Sequence, residues 1–504
     1  ELSAMKKPVS LAFALLMLLP LLFACGKKNG EGTETTAGSG KPDESQSPYL
    51  DQLPEGLNFG GQEVSIFYAI YDGNFDCKLF ELEGDASAEG DRVSQMVFAR
   101  NETVQDRLGV TLRFVQSVEG YGAPTGYQRI IENNIIATQS TEYDLIYHRA
   151  ANAVVHSNMG YFRNVNDLPY VDWSREYWFY NQMESVSLNS ANIYIILGDL
   201  LVSNYANMTA MFFNADLFET VFPDRSADEL YNLVKDDAWT WETYFDIVAQ
   251  GYVDSDGETG ETLGDIYGAH YEESRTAQYY PYTSGLQFSE RDDRGFPKLT
   301  FNTERTIDMV EELYGFMYEN DGTTLLTYDQ AEEKFLNASL IFYSYFLSRG
   351  SMISKNVDFK YGVLPYPKYD ELADYASTIL TGAGVYVIPY TITDEERLNC
   401  IGATLEALCA RSSQTVMPEY YESVVKIREA GTPQNREMIE IIRDHLNFDV
   451  TLWMSDSLGQ VGLSFRQTLI DNKSDNYAAT WEKFGTAYET LLNMQITRYN
   501  ERIQ

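Results

Sequence analysis

Asp254, Asp256, Glu258 and Asp265 stand at positions one, three, five and twelve of the segment DSDGETGETLGD. That is the count at which an EF-hand loop sets oxygen ligands around calcium. The count fails twice: Thr259 stands at the sixth position, where the loop needs glycine, and the twelfth is aspartate instead of a bidentate glutamate. A solvated acidic turn accounts for the segment better than a calcium site. Other metal-ligating residues are sparse, with four histidines in no H-x-x-x-H or H-E-x-x-H spacing. Cys77, Cys400 and Cys409 show no ligand spacing either and read as small buried hydrophobes; Cys400 and Cys409 fall on opposite faces of one helical stretch and are not expected to pair. A glycosidase needs two carboxylates ~5–10 Å apart. Acids are abundant enough to supply a pair, but no local catalytic signature accompanies them. No catalytic residue, metal or cofactor is assigned.

What remains is the chemistry of contact. The chain has 37 tyrosines against 26 phenylalanines and 6 tryptophans. Most belong to the core, yet a tyrosine ring packs while its hydroxyl bonds, which suits surfaces that meet amphipathic ligands. Sugars are such ligands, with apolar C–H faces and a rim of hydroxyls for carboxylates and amides. Trp239 and Trp241 are expected in the core, whereas Trp173 and Trp178 fit either role.

Charge narrows the partners. The chain carries 37 Lys+Arg against 75 Asp+Glu, which argues against nucleic acid and anionic membrane surfaces. A strongly anionic ligand is disfavoured as well, unless a local basic pocket overrides the average.

Residues 1–24 are read as a signal peptide, with Met5 as its start: Lys6 and Lys7, then an apolar run from Leu11 to Ala24. The run falls short of the ~20 residues that span a bilayer. The block Leu22-Phe23-Ala24-Cys25 resembles the bacterial lipoprotein signal, in which the cysteine is acylated and becomes the mature N-terminus; the alternative is an ordinary signal with Cys25 incidental. Residues 25–59 are expected to be a disordered tether, since the stretch from Gly26 to about Gln52 has almost nothing apolar to bury. About 28 flexible residues would let a domain float roughly 30 Å from its anchor. Two or more acyl chains make such an anchor stable, and the expected place is the outer face of a bacterial cell membrane.

The elements that must position the contact residues follow from periodicity. EVSIFYAI and GVTLRFV alternate as strands, YDLIYH is a short buried strand, and DRVSQMVFARNETVQDRL and GYQRIIENNIIATQ between them are amphipathic helices. This β-α-β-α-β order opens an α/β lobe. NIYIILGDLLVSNYANMTAMFFNADLF supplies two strand-like runs about Gly198-Asp199. Helices dominate from Asp228, strand character returns in FKYGVLPYPK and GAGVYVIPY, and the last 110 or so residues are mostly helical.

At this point a resemblance appears. YIILGDLLVSNYANMTAMFFNADLFE, DAWTWETYFDI, DFKYGVLPYPKYDE and TGAGVYVIPYTIT resemble, in order and spacing, the extracellular solute-binding proteins of ABC sugar importers, of the maltose-binding type. The resemblance runs from residue 60 to the C-terminus. It implies an α/β, two-lobed type II periplasmic-binding-protein-like fold with hinge strands and a helical C-terminal region, the lobes closing over a ligand. Residues 60–200 and 360–410 are expected to form lobe 1, and 201–359 and 411–504 lobe 2. The resemblance implies two partners, a carbohydrate, expected to be an oligosaccharide, and the transmembrane subunits of a permease; the protein is expected to be a monomer. The other readings are a surface glycosidase and an adhesin or scaffold lipoprotein.

The resemblance also nominates ligand contacts. QYYPYTSGLQF matches a cleft-wall segment of the family and nominates Tyr279 and Tyr280; SLIFYSYF nominates Tyr345, and DVTLWMSD nominates Trp453. Asp199, beside the hinge, resembles the cleft-facing acid of the crossing strand. On lobe 1, Tyr71 and Asp72 after strand one, and Tyr147 and His148 ending YDLIYH, fall at strand C-termini, where open α/β sheets expose ligand sites.

Overall fold

The computed structural model describes residues 49–502, apart from 71–74, 88–90, 121–125, 256, 259–261, 273–275, 380–381 and 426–431. Cys25, Tyr71 and Asp72 therefore lie outside the described residues, as do the signal and most of the tether. In chain order the strands are β1 (Gln62–Tyr68), β2 (Val110–Gln116), β3 (Leu145–Arg149), β4 (Thr209–Asn214), β5 (Tyr267–Tyr271), β6 (Ser289–Arg291), β7 (Pro297–Leu299), β8 (Thr323–Leu325), β9 (Leu340–Phe346), β10 (Tyr361–Leu364) and β11 (Gly384–Val387).

They form two main sheets. The first has the order β11-β3-β1-β2, parallel except for β11, which runs antiparallel to β3. The second has the order β10-β4-β9-β5-β8, parallel through β9, β5 and β8 and antiparallel on either side of β4. β6 and β7 make a separate hairpin. The chain leaves the first sheet near Leu200, builds the whole second sheet, and returns between Leu364 and Gly384.

Helix starts follow the chemistry of capping. Asp91, Asn214, Thr240, Thr303, Thr327 and Asp394 each accept a backbone N–H from the first turn of the helix they precede, satisfying donors that have no partner inside the helix. The helix Arg92–Leu108 stops at Gly109, whose φ of 58° is a left-handed cap. Its buried stripe is Val93, Val97, Val104 and Leu108, with Met96 only partly buried beside it.

Three expectations need correction. Residues 49–59 are not tether: Asp51 is buried against Arg107 at 2.5 Å, Tyr49 lies under the same guanidinium, and Phe59 N–H bonds the Leu108 carbonyl at 2.8 Å. Residues 360–410 do not all return to the first sheet, because β10 pairs with β4 in the second. Residues 411–504 do not serve one lobe alone. Met417–Val425 packs on both Arg92–Leu108 and Arg349–Asn356, and Tyr477–Arg502 packs on both Ala150–Asn158 and Glu304–Tyr318. A smaller difference is that residues after Asp199 begin with a short helix, Val202–Ala206, before β4.

Tyrosine serves chiefly as core, as with Tyr244 and Tyr280, which are fully buried among Trp241, Phe245 and Phe316. Trp239 and Trp241 are fully buried too. Cys77, Cys400 and Cys409 are free and buried. Among the described residues, no helix is long and apolar enough to cross a membrane.

Candidate functional site

A cavity of about 190 Å³ is lined from the end of β3 in the first sheet, from the helix Thr276–Thr283, from the returning crossover and from the helical C-terminal region. Arg149 and Ala151 reach it from the junction of β3 with the helix Ala150–Asn158; Tyr279 and Tyr282 come from the helix Thr276–Thr283. Thr378 and Ile379, on the returning crossover, form another side. Trp453, Asp456 and Leu463 come from the C-terminal region.

The helix Thr276–Thr283 decides which tyrosines face this space. Residues three apart share a helix face, so Tyr279 and Tyr282 point the same way and Tyr280 does not. Tyr282 donates its hydroxyl to the Gly462 carbonyl, and Tyr279 stands edge-on to Phe346 at 5.5 Å. Tyr280 turns into the core and donates to the Tyr244 hydroxyl at 3.0 Å. Tyr280 packs in the core and does not line this cavity, whereas Tyr282, which sequence reasoning did not name, does.

Trp453 ends a short helix, Val450–Trp453, started by Asp449. One Asp449 oxygen accepts from Thr451 N–H (2.8 Å) and hydroxyl (2.5 Å); the other accepts from Ser289 N–H (2.9 Å) and hydroxyl (2.8 Å). A single carboxylate thus fixes the helix and ties it to the β6–β7 hairpin. The Trp453 ring packs on Phe448, 5.0 Å between centroids, and is 2 % exposed. It combines a core contact with a cavity-lining one.

At the end of β3 the nominated Tyr147 and His148 are buried off the cavity wall, and the next residue, Arg149, lines it. Tyr147 is buried edge-on to Tyr386, with its ring so close to Gly384 that a Cβ there would lie 2.0 Å from the Tyr147 hydroxyl. His148 is fully buried. Its Nδ1 accepts from the Arg149 N–H at 2.9 Å, its Nε2 lies 3.0 Å from His156 Nδ1, and His156 Nε2 lies 3.1 Å from a Glu132 oxygen. One tautomer satisfies all three contacts: each ring neutral, its proton on Nε2, donating toward Glu132. Burial pushes the His148 pKa well down, helped by His156 and Arg149, which favours the neutral form. Arg149 is the residue at this strand end that lines the cavity.

The remaining nominees lie elsewhere. Asp199 is buried and accepts from the Tyr205 hydroxyl, while its N–H bonds the Tyr177 carbonyl at 2.9 Å. Burial raises its carboxyl pKa, opposed by Arg443. It braces the crossing and does not line this cavity, the reverse of the cleft-facing role the resemblance implied. Tyr345 is partly buried, parallel to Tyr343 at 5.9 Å with the Arg349 guanidinium 5.0 Å from its ring, and also lies outside the cavity wall. Trp178 donates to Glu406 at 3.0 Å and is core.

In the acidic loop, Asp265 is turned inward. It accepts from Tyr252 OH (3.0 Å), Ser255 N–H (3.0 Å) and Thr262 N–H (2.8 Å). Protein donors thus occupy the twelfth-position carboxylate. Asp256 and Thr259 lie outside the described residues. Among the described residues, no group of three or more His, Cys, Asp or Glu is placed to hold a metal ion.

No protein-family model matches the chain, and no curated protein matches it by sequence. Solved structures do. UgpB from Mycobacterium tuberculosis, in complex with glycerophosphocholine, is 14% identical, with a TM-score of 0.54 over 86% of this chain and 100% of that one. An ABC transporter solute-binding protein from Thermotoga lettingae, bound with α-D-tagatose, is 12% identical, with a TM-score of 0.53 over 86% and 100%. The GacH receptor of Streptomyces glaucescens, solved unliganded and with acarbose, is 13% identical, with a TM-score of 0.52 over 86% and 99%. At such identities the likeness establishes the fold: this chain has the two-lobed, type II solute-binding architecture.

Proposed function

We propose that this chain is the substrate-binding component of an ABC importer and takes a carbohydrate between its lobes. The observation that carries the reading is the cavity itself, with Tyr279, Tyr282 and Trp453 on its wall beside the polar groups of Arg149 and Asp456. Aromatic rings beside a few polar groups suit a sugar, whose C–H faces pack and whose hydroxyls bond. Two of the three solved structures named above hold carbohydrates, tagatose and acarbose, which supports the same ligand class. The cavity is smaller than the ~300–1,000 Å³ of pockets that engulf a drug-sized ligand. An oligosaccharide is therefore read as placing one end here, with the rest running along the cleft between the lobes.

Hydrolysis fits less well. A glycosidase needs two carboxylates, and Asp456 is the single acid among the described residues lining the cavity. The protein is read as a binding protein and a monomer. It hands its ligand to permease subunits while held by lipid at Cys25 on the outer face of the cell membrane. Its lobes close by flexing where the chain crosses, near Leu200 and between Leu364 and Gly384.

A thermal-shift screen over mono- and oligosaccharides tests the function. A ligand at 100 times its Kd adds ~2.7 kcal/mol to stability, so a binder raises the melting temperature, and no sugar is consumed in the mixture. Turnover of the sugar would contradict the binding reading, and a flat screen would contradict the carbohydrate reading.

A further inference from the structure

Arg149 is the lone cation among the residues lining the cavity. Among the described residues it takes part in no ion pair and its guanidinium donates to none; Nε is buried without a partner. Arg349, Arg411 and Arg466 also hold an Nε that is buried and makes no hydrogen bond, but none of them lines this cavity, and several other arginines are held by protein acceptors. Arg107 grips Asp51 through two hydrogen bonds, Arg397 is held by Asp144 and the Thr141 carbonyl, and Arg291 donates to four backbone carbonyls. A guanidinium is always charged and carries five donors in a rigid fork. Leaving it without protein acceptors costs stability unless something that enters the cavity supplies them.

The surroundings keep this charge unopposed. The neutral His148–His156 pair behind it adds no positive charge and supplies no anion to neutralise it, and Glu132 is engaged at the far end by His156. Asp456, the other charged lining residue, is solvent-exposed and forms no ion pair with Arg149.

We infer that the preferred ligand is an acidic carbohydrate, whose oxyanion is received by the Arg149 fork while its ring packs against Tyr279 and Trp453. This inference rests on the carbohydrate reading above and narrows it. The oxyanion matches the fork's geometry in two forms: the carboxylate of a uronic acid, or a sulfate or phosphate ester on a sugar. It also explains how a chain of net charge −38 takes an anion: a local unpaired cation outweighs an average that salt screens over ~10 Å.

The test is calorimetric titration of the full-length protein with matched pairs: neutral di- and trisaccharides, each beside its uronate, sulfate and phosphate counterpart. The acidic member is expected to bind about ten- to a hundredfold more tightly, the span of a charge-assisted hydrogen bond pair, and the preference is expected to shrink with added salt. Arg149→Gln is expected to erase the preference and Arg149→Lys to keep part of it. Whichever acidic member binds best identifies the anion. Neutral members binding as tightly as their acidic partners in the wild-type protein would overturn the inference and leave the carbohydrate reading standing. So would a preference that survives in a folded Arg149→Gln protein. If no member of any pair binds, the carbohydrate reading falls and this inference with it. The wild-type comparison and its salt dependence decide the matter even if a variant does not fold.

Discussion

Arg149 ends a strand of the first sheet and Trp453 ends a helix of the C-terminal region, yet both line one cavity, and neither side chain donates a hydrogen bond to any described residue. A guanidinium and an indole each want an acceptor. The Arg149 Nε is buried there without a partner, which makes this space the candidate site.

Trp453→Ala is expected to lower sugar affinity by roughly 30- to 150-fold, from ~2–3 kcal/mol of lost contact. Its burial against Phe448 adds a cost to the ligand-free protein of ~3–5 kcal/mol. Trp453→Phe separates the two, restoring much of the stability and only part of the affinity. Calorimetry and denaturant unfolding of both variants check this; unchanged affinity in a folded Trp453→Ala protein removes the residue from the site.

Tyr279 and Tyr280 are neighbours with opposite expected phenotypes. Tyr280→Ala opens a hole among Trp241, Tyr244 and Phe316 and is expected to cost ~3–5 kcal/mol of stability, with Kd little changed well below the melting temperature. Tyr279→Ala is expected to weaken binding. If the two variants swap phenotypes, the helix face is assigned wrongly.

How far this site was legible in sequence depends on what fixes each residue. Helix starts were readable, since Asn214 and Thr240 cap through their own side chains. Tyr282 was within reach as well, because the i, i+3 spacing from Tyr279 puts both on one face. Arg149 was not. Which of several consecutive residues turns into the cavity depends on where β3 hands over to the helix at Ala150, and that junction is set by Gly384 pairing across the sheet. The strands β5 and β8 also escaped: YGAHY and TTL have no strand signal of their own and exist through parallel pairing with distant segments. The helical tail reads as one lobe's covering because helical periodicity says nothing of which neighbour it packs against.

Asp449→Ala should act on the ligand through position alone. It removes a helix cap, worth ~1 kcal/mol, and releases Ser289 at the hairpin. Both stability and affinity are expected to fall. Asp449→Asn, which keeps an acceptor, is expected to recover most of each; if it fails to do so by unfolding and titration, the positioning role is wrong.

Acid should destabilise the fold through buried histidine. His270 is fully buried, accepts the Ser344 N–H at 3.3 Å, and has its pKa lowered from 6.5 to about 4 by burial. The unfolded chain therefore takes up a proton below pH 6.5 that the folded protein refuses until about pH 4. Stability falls across that window by roughly 3 kcal/mol for this group, and the lowered pKa values of His148 and His156 act in the same direction. Glu81, raised to about 7 by burial, opposes them: its contribution is present below pH 4.5 and is lost as pH rises to 7. His270→Gln isolates one group, since it keeps an acceptor for Ser344. Its stability is expected to fall less than the wild type's between pH 7 and 4, and parallel curves would contradict a neutral buried His270.

Cys25→Ser is expected to release the protein from the membrane fraction or to leave its precursor uncut. A mature protein that stays membrane-bound without acylation would contradict the lipid anchor.

The most direct measurement is a crystal structure with the tightest sugar from the thermal-shift screen. The expected result is a sugar ring packed between Tyr279 and Trp453, with hydrogen bonds to Arg149 in the cavity those residues line. A sugar bound away from that cavity, leaving Arg149 and Trp453 without acceptors, would contradict the account.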